Sequence, residues 1–96
     1  MDISMNDKIF IISIELNSKA AVAQFEKVMN GCSSTYVKIM ENTYAVRVSS
    51  SYTSEAIRDI VLNKMGGDCI LFVMRSSIDT AWRINSSADG WLKSHI

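Results

Sequence analysis

Two segments of the chain are almost continuously apolar, and the first of them is also rich in β-branched residues. Residues 9–16 and residues 69–75 have this composition, which is typical of strands that are buried on both faces. Two shorter β-prone segments, residues 35–40 and 43–49, are separated by only a pair of polar residues. Such a short connection favours a hairpin. The pattern of apolar positions therefore predicts four strands.

Two other segments repeat their apolar residues every three or four positions. Residues 20–30 and residues 55–65 show this spacing, which places the apolar side chains on one stripe of a helix. The Asn-Ser pair at residues 17–18 offers an N-cap to the first helix, and we expect Gly31 to end it. Gly66 is expected to end the second helix in the same way.

The order strand, helix, strand, strand, helix, strand predicts an α+β fold of the ferredoxin-like βαββαβ type. We expect a four-stranded antiparallel sheet with both helices on one face, the first and third strands central, and the second and fourth strands at the edges. The C-terminal tail, residues 78–96, is expected to add a short strand at residues 82–84 and a helix from about Ser87. Residues 1–7 are predicted to be a flexible segment before a single domain that spans residues 8–96.

Two helices can cover only one face of this sheet, so apolar side chains on the other face would remain in water. An exposed apolar patch of that size usually marks an interface. The tail can cover part of this face, and we expect a homodimer to cover more of it. The residues expected at the dimer interface are Ile9, Ile11, Leu71, Val73 and Trp82.

The composition argues against a strong electrostatic partner. The 96 residues carry 10 Lys and Arg against 10 Asp and Glu, so the formal net charge is zero and no strong field recruits nucleic acid or anionic lipid. The apolar runs are far shorter than the ~20 residues of a membrane helix, and the acidic N-terminus is a poor secretory signal. Cys32 and Cys69 lie far apart without a CxxC motif, which favours reduced buried thiols. We therefore expect a cytoplasmic protein with no membrane partner.

Several short motifs resemble those of a group of small bacterial and phage proteins labelled SinR-family. The motifs are residues 42–46, 55–60, 68–73, 81–82 (Ala-Trp) and 90–93 (Gly-Trp-Leu-Lys). The fold of that group is similar to the small CRISPR adaptation subunit, in a Cas-two-like superfamily that includes VapD-type toxin ribonucleases. The resemblance, which covers residues 8–96, implies a ferredoxin-like fold and a symmetric dimer whose tail packs on, or adds a strand to, the sheet of the partner.

The same resemblance leaves two functions open. It implies a homodimer that binds a protein or nucleic-acid partner, in a setting such as CRISPR, phage defence or toxin–antitoxin systems. It also implies an alternative, a Mg²⁺-dependent endoribonuclease or endodeoxyribonuclease. We favour binding without efficient catalysis, and therefore no cofactor, because zero net charge argues for protein association and because the residues at the candidate metal site depart from the pattern of the family.

The departure concerns the end of the first strand. Members of the group commonly have an aromatic residue, then Asp, then Leu or Ile there, and in the proposed nucleases an Asp pair at the dimer axis holds Mg²⁺. This chain has Ile14, Glu15 and Leu16 at those positions. The longer side chain moves the carboxylate outward, whereas Mg²⁺ requires near-ideal octahedral geometry. Glu15 is therefore the candidate catalytic and metal-binding residue only for the nuclease alternative.

Three further residues are candidates for nucleic-acid contact. Ser13, Arg47 and Arg75 are expected on the open face of the sheet, and Arg and Ser side chains commonly contact phosphate groups. The competing interpretation is that these arginines end strands or form interface ion pairs. The single histidine, His95, lies far in sequence from any candidate nucleophile, which argues against a His-based catalytic triad or a His-rich metal site.

Overall fold

The computed structural model of the protein describes residues 7–77 and 79–96. The elements in this part of the chain are β1 (Lys8–Ile14), α1 (Lys19–Cys32), β2 (Thr35–Met40), β3 (Thr43–Val48), α2 (Ser54–Met65), β4 (Leu71–Arg75) and α3 (Ser87–His95). The four predicted strands and the three predicted helices are confirmed. Residues 1–6, most of the segment expected to be flexible, lie outside the described residues, whereas Asp7 leads directly into β1.

The four strands form one antiparallel sheet in the order β2-β3-β1-β4. The expectation that the first and third strands are central and the other two lie at the edges is therefore confirmed. The turn between β2 and β3 places Asn42 at φ 63°, in the left-handed region that Asn tolerates better than most residues. This two-residue turn explains the tight hairpin.

Helices α1 and α2 both pack on one face of the sheet. Their buried residues join the alternate, inward-facing residues of β1 and β3 in one apolar core. Its members are Phe10, Ile12, Ile14, Phe25, Met29, Tyr44, Val46, Val48, Ile57 and Val61. The hydroxyl of Tyr44 donates to Glu26 at 3.2 Å, and burial, followed by the negative charge of Glu26, raises the pKa of Tyr44 to about 12. The tyrosine therefore stays neutral in the core.

The helix ends agree with those predicted from the sequence in all but one case. Ser18 caps α1 by accepting a hydrogen bond from the backbone of Ala21, and Gly66 ends α2 at φ 102°, a conformation that favours glycine. The prediction that Gly31 ends α1 is wrong. The helix continues through Gly31, and Ser33 is the C-cap because its backbone N–H reaches a carbonyl oxygen of the last turn.

The tail forms the predicted helix but not the predicted strand. Helix α3 begins at Ser87 as expected, whereas residues 82–84 have no strand structure. The reason is that Trp82 packs toward its own helix: its indole N–H donates to the carboxylate of Asp89 at 3.0 Å. The segment before α3 is therefore tied to α3 rather than to a sheet edge.

Candidate interaction surface

Helix α3 covers half of the sheet face that α1 and α2 leave open. The register places Ala45 and Arg47 of β3 on this open face, opposite Ile11 and Ile9 of β1. Ala45 has no exposed surface although it lies outside the core formed by α1 and α2. Helix α3 reaches β2 through Trp91 and β3 through His95 on this face, and its own Ala88 and Leu92 are also buried. The structure therefore contains a second, smaller apolar layer over β2 and β3.

Polar contacts fix α3 on this face. The indole N–H of Trp91 donates to the hydroxyl of Thr35 at 3.1 Å. The ring of Trp91 lies 4.3 Å from the ring of His95, measured between centroids. In turn, Nδ1 of His95 lies 3.2 Å from Nη1 of Arg47, and Nε of Arg47 lies 3.2 Å from a carboxylate oxygen of Asp7. These contacts connect the end of α3 to β2, to β3 and to the residue before β1.

The contact with Arg47 determines the charge state of His95. A guanidinium group can only donate hydrogen bonds, so Nδ1 of His95 must accept and must be unprotonated. Burial, followed by the positive charge of Arg47, lowers the pKa of His95 below its ordinary value of 6.5. Neutral imidazole is therefore the form that holds the last turn of α3 against the sheet.

The half of the open face that α3 does not cover carries large apolar side chains. Ile70, Phe72 and Met74 are 64%, 65% and 49% exposed. Ile11 of β1 lies directly opposite Met74 in the sheet and is half-buried. We call these four residues the β4 patch. Large side chains grouped in this way are more informative than single exposed apolar residues, because grouped apolar surface marks interaction sites.

The register corrects two of the five residues expected at the dimer interface. Ile9 and Ile11 lie on the open face, as expected. Leu71 and Val73 do not, because they pair with Ile14 and Ile12 of the core and pack against the core on the side that α1 and α2 cover. The residues of β4 that do point to the open side are Phe72 and Met74. Trp82, the fifth expected residue, is half-buried beside α3.

The three residues expected to contact nucleic acid do not form one cluster. Ser13 is on the open face, with its hydroxyl 3.3 Å from the hydroxyl of Thr43. Arg47 is on the same face but lies opposite Ile9, which is four residues from Ser13 along β1, so the two are about 14 Å apart. Arg47 also contacts Asp7 and His95. The placement of Arg75 on the open face is wrong, since it pairs with the core residue Phe10. Arg47 is therefore held by Asp7 and His95 of its own chain and lies apart from Ser13.

Glu15 lies at the end of β1 and is exposed. Its backbone N–H donates to the carbonyl oxygen of Ile70 at 3.0 Å, which extends the pairing of β1 with β4 by one residue. The side chain borders a shallow groove of about 370 Å³ together with Ser13, Asn42 and Phe72. Within the described residues no group of three or more His, Cys, Asp or Glu side chains could hold a metal ion. Asp68 borders a second pocket together with Glu15, so the described residues bring a pair of carboxylates to this end of the sheet.

Sequence reasoning missed the residues that dominate this surface. Phe72 and Met74 lie in a continuous apolar run, residues 69–74, in which apolar and polar positions do not alternate. The pattern therefore does not indicate which residues of the strand face the core. The contact of His95 with Arg47 joins residues that are 48 positions apart, and no local pattern predicts it. Cys32 and Cys69 are free thiols, as expected, but each is half-buried rather than buried; desolvation raises the pKa of the Cys32 thiol.

Comparisons with protein-family models, with curated proteins and with solved structures found no match to this chain. No helix in the described part of the chain has the length and apolar character needed to cross a membrane.

Proposed function

We propose that the chain is a small homodimeric binding protein with a ferredoxin-like fold of the Cas-two-like type. In this proposal the β4 patch contacts a second copy, and the dimer associates with a protein or nucleic-acid partner without efficient catalysis. The observation that carries the proposal is the exposure of Ile70, Phe72 and Met74 side by side at one border of the sheet. Burying one such side chain fully contributes roughly 1.5–3 kcal/mol, so an interface built on the patch has a substantial driving force.

The ferredoxin-like assignment is supported by the connections between the elements. Each of the two helices joins strands of one antiparallel sheet, both helices lie on the same face, and β1 and β3 lie between the edge strands β2 and β4. The Cas-two-like relationship adds the expectation of a symmetric dimer. In this chain the tail differs from that expectation, because it covers its own sheet with α3 instead of forming a strand.

A protein partner is favoured over nonspecific binding to nucleic acid. The net charge is zero, and binding to phosphate groups depends on a surplus of Lys and Arg side chains. Arg47, the candidate phosphate contact on the open face, is already paired with Asp7 at 3.2 Å. The nuclease alternative rests on Glu15, and no contact of its side chain with another residue in the described part of the chain favours that alternative.

Two matched substitutions test the proposal. Phe72→Glu places a charge in the β4 patch, and Met40→Glu places one at an equally exposed apolar position on β2, since Met40 is 61% exposed and Phe72 is 65% exposed. Light scattering coupled to size exclusion should give a dimer for the unsubstituted chain and for Met40→Glu, but a monomer for Phe72→Glu. A monomeric unsubstituted chain, or a Phe72→Glu chain that remains dimeric, contradicts the role of the patch.

A further inference from the structure

The two edges of the sheet differ in how they are protected against pairing with another strand. Natural edge strands avoid such pairing with charged side chains, irregular register or proline. Edge strand β2 carries the exposed Lys38, and its register shifts between Lys38 and Met40. Edge strand β4 is regularly paired with β1, is apolar from Leu71 to Met74 and carries a charged residue, Arg75, only at its end. In the described part of the chain no strand pairs with its outer side.

Every second residue of β4 directs its backbone N–H and C=O groups to this outer side. Ile70 accepts a hydrogen bond from β1 at 3.0 Å, and Ser76 donates one to β1 at 2.8 Å. In an antiparallel ladder the groups of alternate residues point the same way, so Phe72 and Met74 also face β1. The N–H and C=O groups of Leu71, Val73 and Arg75 consequently point outward, where another strand can bind them.

The charges at the two ends of β4 are complementary to those of a second, antiparallel β4. Asp68 precedes the strand and Arg75 ends it, and both residues are exposed. Neither side chain forms an ion pair with another described residue. If two β4 strands run antiparallel, the arginine end of each copy lies beside the aspartate end of the other. Opposite charges at both ends then favour the antiparallel orientation of the two strands.

We infer that the occupant of the β4 edge is a second copy of this chain, paired antiparallel through β4 so that the two sheets form one continuous sheet of eight strands. This inference rests on the proposed function, because it specifies how the proposed dimer forms. We place the two-fold axis at Phe72, so that Phe72 lies opposite Phe72 and Arg75 lies opposite Cys69 of the second copy, next to its Asp68. The two β4 patches then meet on the open side of the joined sheet.

This arrangement also determines where the two Glu15 residues lie. Adjacent strands are about 4.8 Å apart and each residue of a strand advances about 3.4 Å. Glu15 is on the strand next to β4 and opposite Ile70, so its backbone lies about 10 Å from an axis at Phe72, and the two copies are about 20 Å apart. Ligands of one Mg²⁺ ion lie about 2.0–2.1 Å from the metal. The paired edges therefore exclude a metal ion shared by the two Glu15 residues.

Charge reversal in the full chain tests the edge pairing. Arg75→Asp and Asp68→Arg each place like charges together at both ends of the paired strands, and each should weaken the dimer about 10-fold or more. The double variant restores opposite charges and should return to within about 3-fold of the unsubstituted chain. Lys38→Asp, a charge reversal on the other edge strand, is the control and should leave the dissociation constant unchanged. All four variants change exposed side chains, so folding should persist.

A cross-link tests the register independently. Two directly opposed residues of a non-hydrogen-bonded antiparallel pair have Cα atoms about 4.5 Å apart, a distance that a disulfide can bridge. Phe72→Cys should therefore give a disulfide-linked dimer under mild oxidation, whereas the unsubstituted chain, with half-buried Cys32 and Cys69, should not. A dimer that neither responds to the charge reversals nor cross-links overturns the edge pairing but leaves the proposed function standing. A monomeric unsubstituted chain overturns both.

Discussion

The neutral imidazole of His95 accepts a hydrogen bond from Arg47 across 3.2 Å, and this contact joins the last turn of α3 to a central strand of the sheet. As a consequence, the two halves of the open face differ in exposure. The half over β2 and β3 is closed by the tail of the same chain, and the half beside β4 remains open for a partner. Which half is available thus depends on where α3 is held.

The first prediction concerns the pH dependence of this contact. The pKa of His95 is lower in the folded chain than its ordinary value, so the unfolded chain binds the proton more readily. The contribution of His95 to stability is therefore complete above the unfolded pKa of about 6.5 and is lost as the pH falls through that value toward the lower folded pKa. Protonated His95 would also face Arg47 with like charge, in a groove that Asp7, Lys8 and Arg75 border.

Urea denaturation of the unsubstituted chain and of His95→Gln measures this effect. Between about pH 7.5 and about pH 5.5, a range in which few groups other than histidine titrate, the unsubstituted chain should lose stability on acidification. The His95→Gln chain should show little change, because its amide is neutral throughout and can still accept from Arg47. Equal pH dependence of the two chains would show that His95 does not carry the effect.

The second prediction is that alanine has opposite effects on stability at Gly31, which lies within α1, and at Gly66, which ends α2. Gly31 lies inside α1, where an added Cβ would meet nothing within 4 Å, so Gly31→Ala should stabilise the chain by about 0.5–1 kcal/mol. Gly66 has φ 102°, so Gly66→Ala should destabilise by about 1 kcal/mol or more. Thermal unfolding of both variants checks the opposite signs. Destabilisation by Gly31→Ala would mean that α1 ends before this residue.

The third prediction addresses Glu15. We expect no Mg²⁺-dependent cleavage of RNA or DNA by the unsubstituted chain, and identical behaviour of Glu15→Gln, because the described residues hold no group of three His, Cys, Asp or Glu side chains that could bind a metal ion. Labelled single-stranded and double-stranded substrates, with and without Mg²⁺, provide the measurement. Cleavage that requires both the metal and Glu15 would restore the nuclease alternative and would contradict the proposal of binding without efficient catalysis.

The sequence predicted the elements well because their signals are local. Strand β3 alternates Tyr44, Val46 and Val48 with smaller or polar residues, and the three are buried as the alternation predicts. Strand β4 has no such alternation, since each position from Leu71 to Met74 is apolar, and the choice of inward residues was wrong by one position. A shift of one residue moves every side chain of a strand to the other face. Only the register with β1 resolves that choice.

The candidate site was less predictable because it depends on contacts between distant segments. The start of α3 at Ser87 follows from local capping: Ser86 is the N-cap and accepts a hydrogen bond from the backbone of Ala88. The position of α3 on the sheet does not follow from local sequence, because it depends on the hydrogen bond that Trp91 donates to Thr35, 56 positions away in the chain. Without that contact the sequence could not show which half of the open face remains uncovered.

The oligomeric state of the unsubstituted chain tests the central claim most directly. Sedimentation velocity over concentrations from about 1 to about 100 µM covers the range in which a dimer of moderate affinity dissociates. We expect a species with twice the 10.7 kDa mass of the chain, and its share should grow with concentration. A single species of 10.7 kDa at every concentration would contradict the claim that the β4 patch binds a second copy.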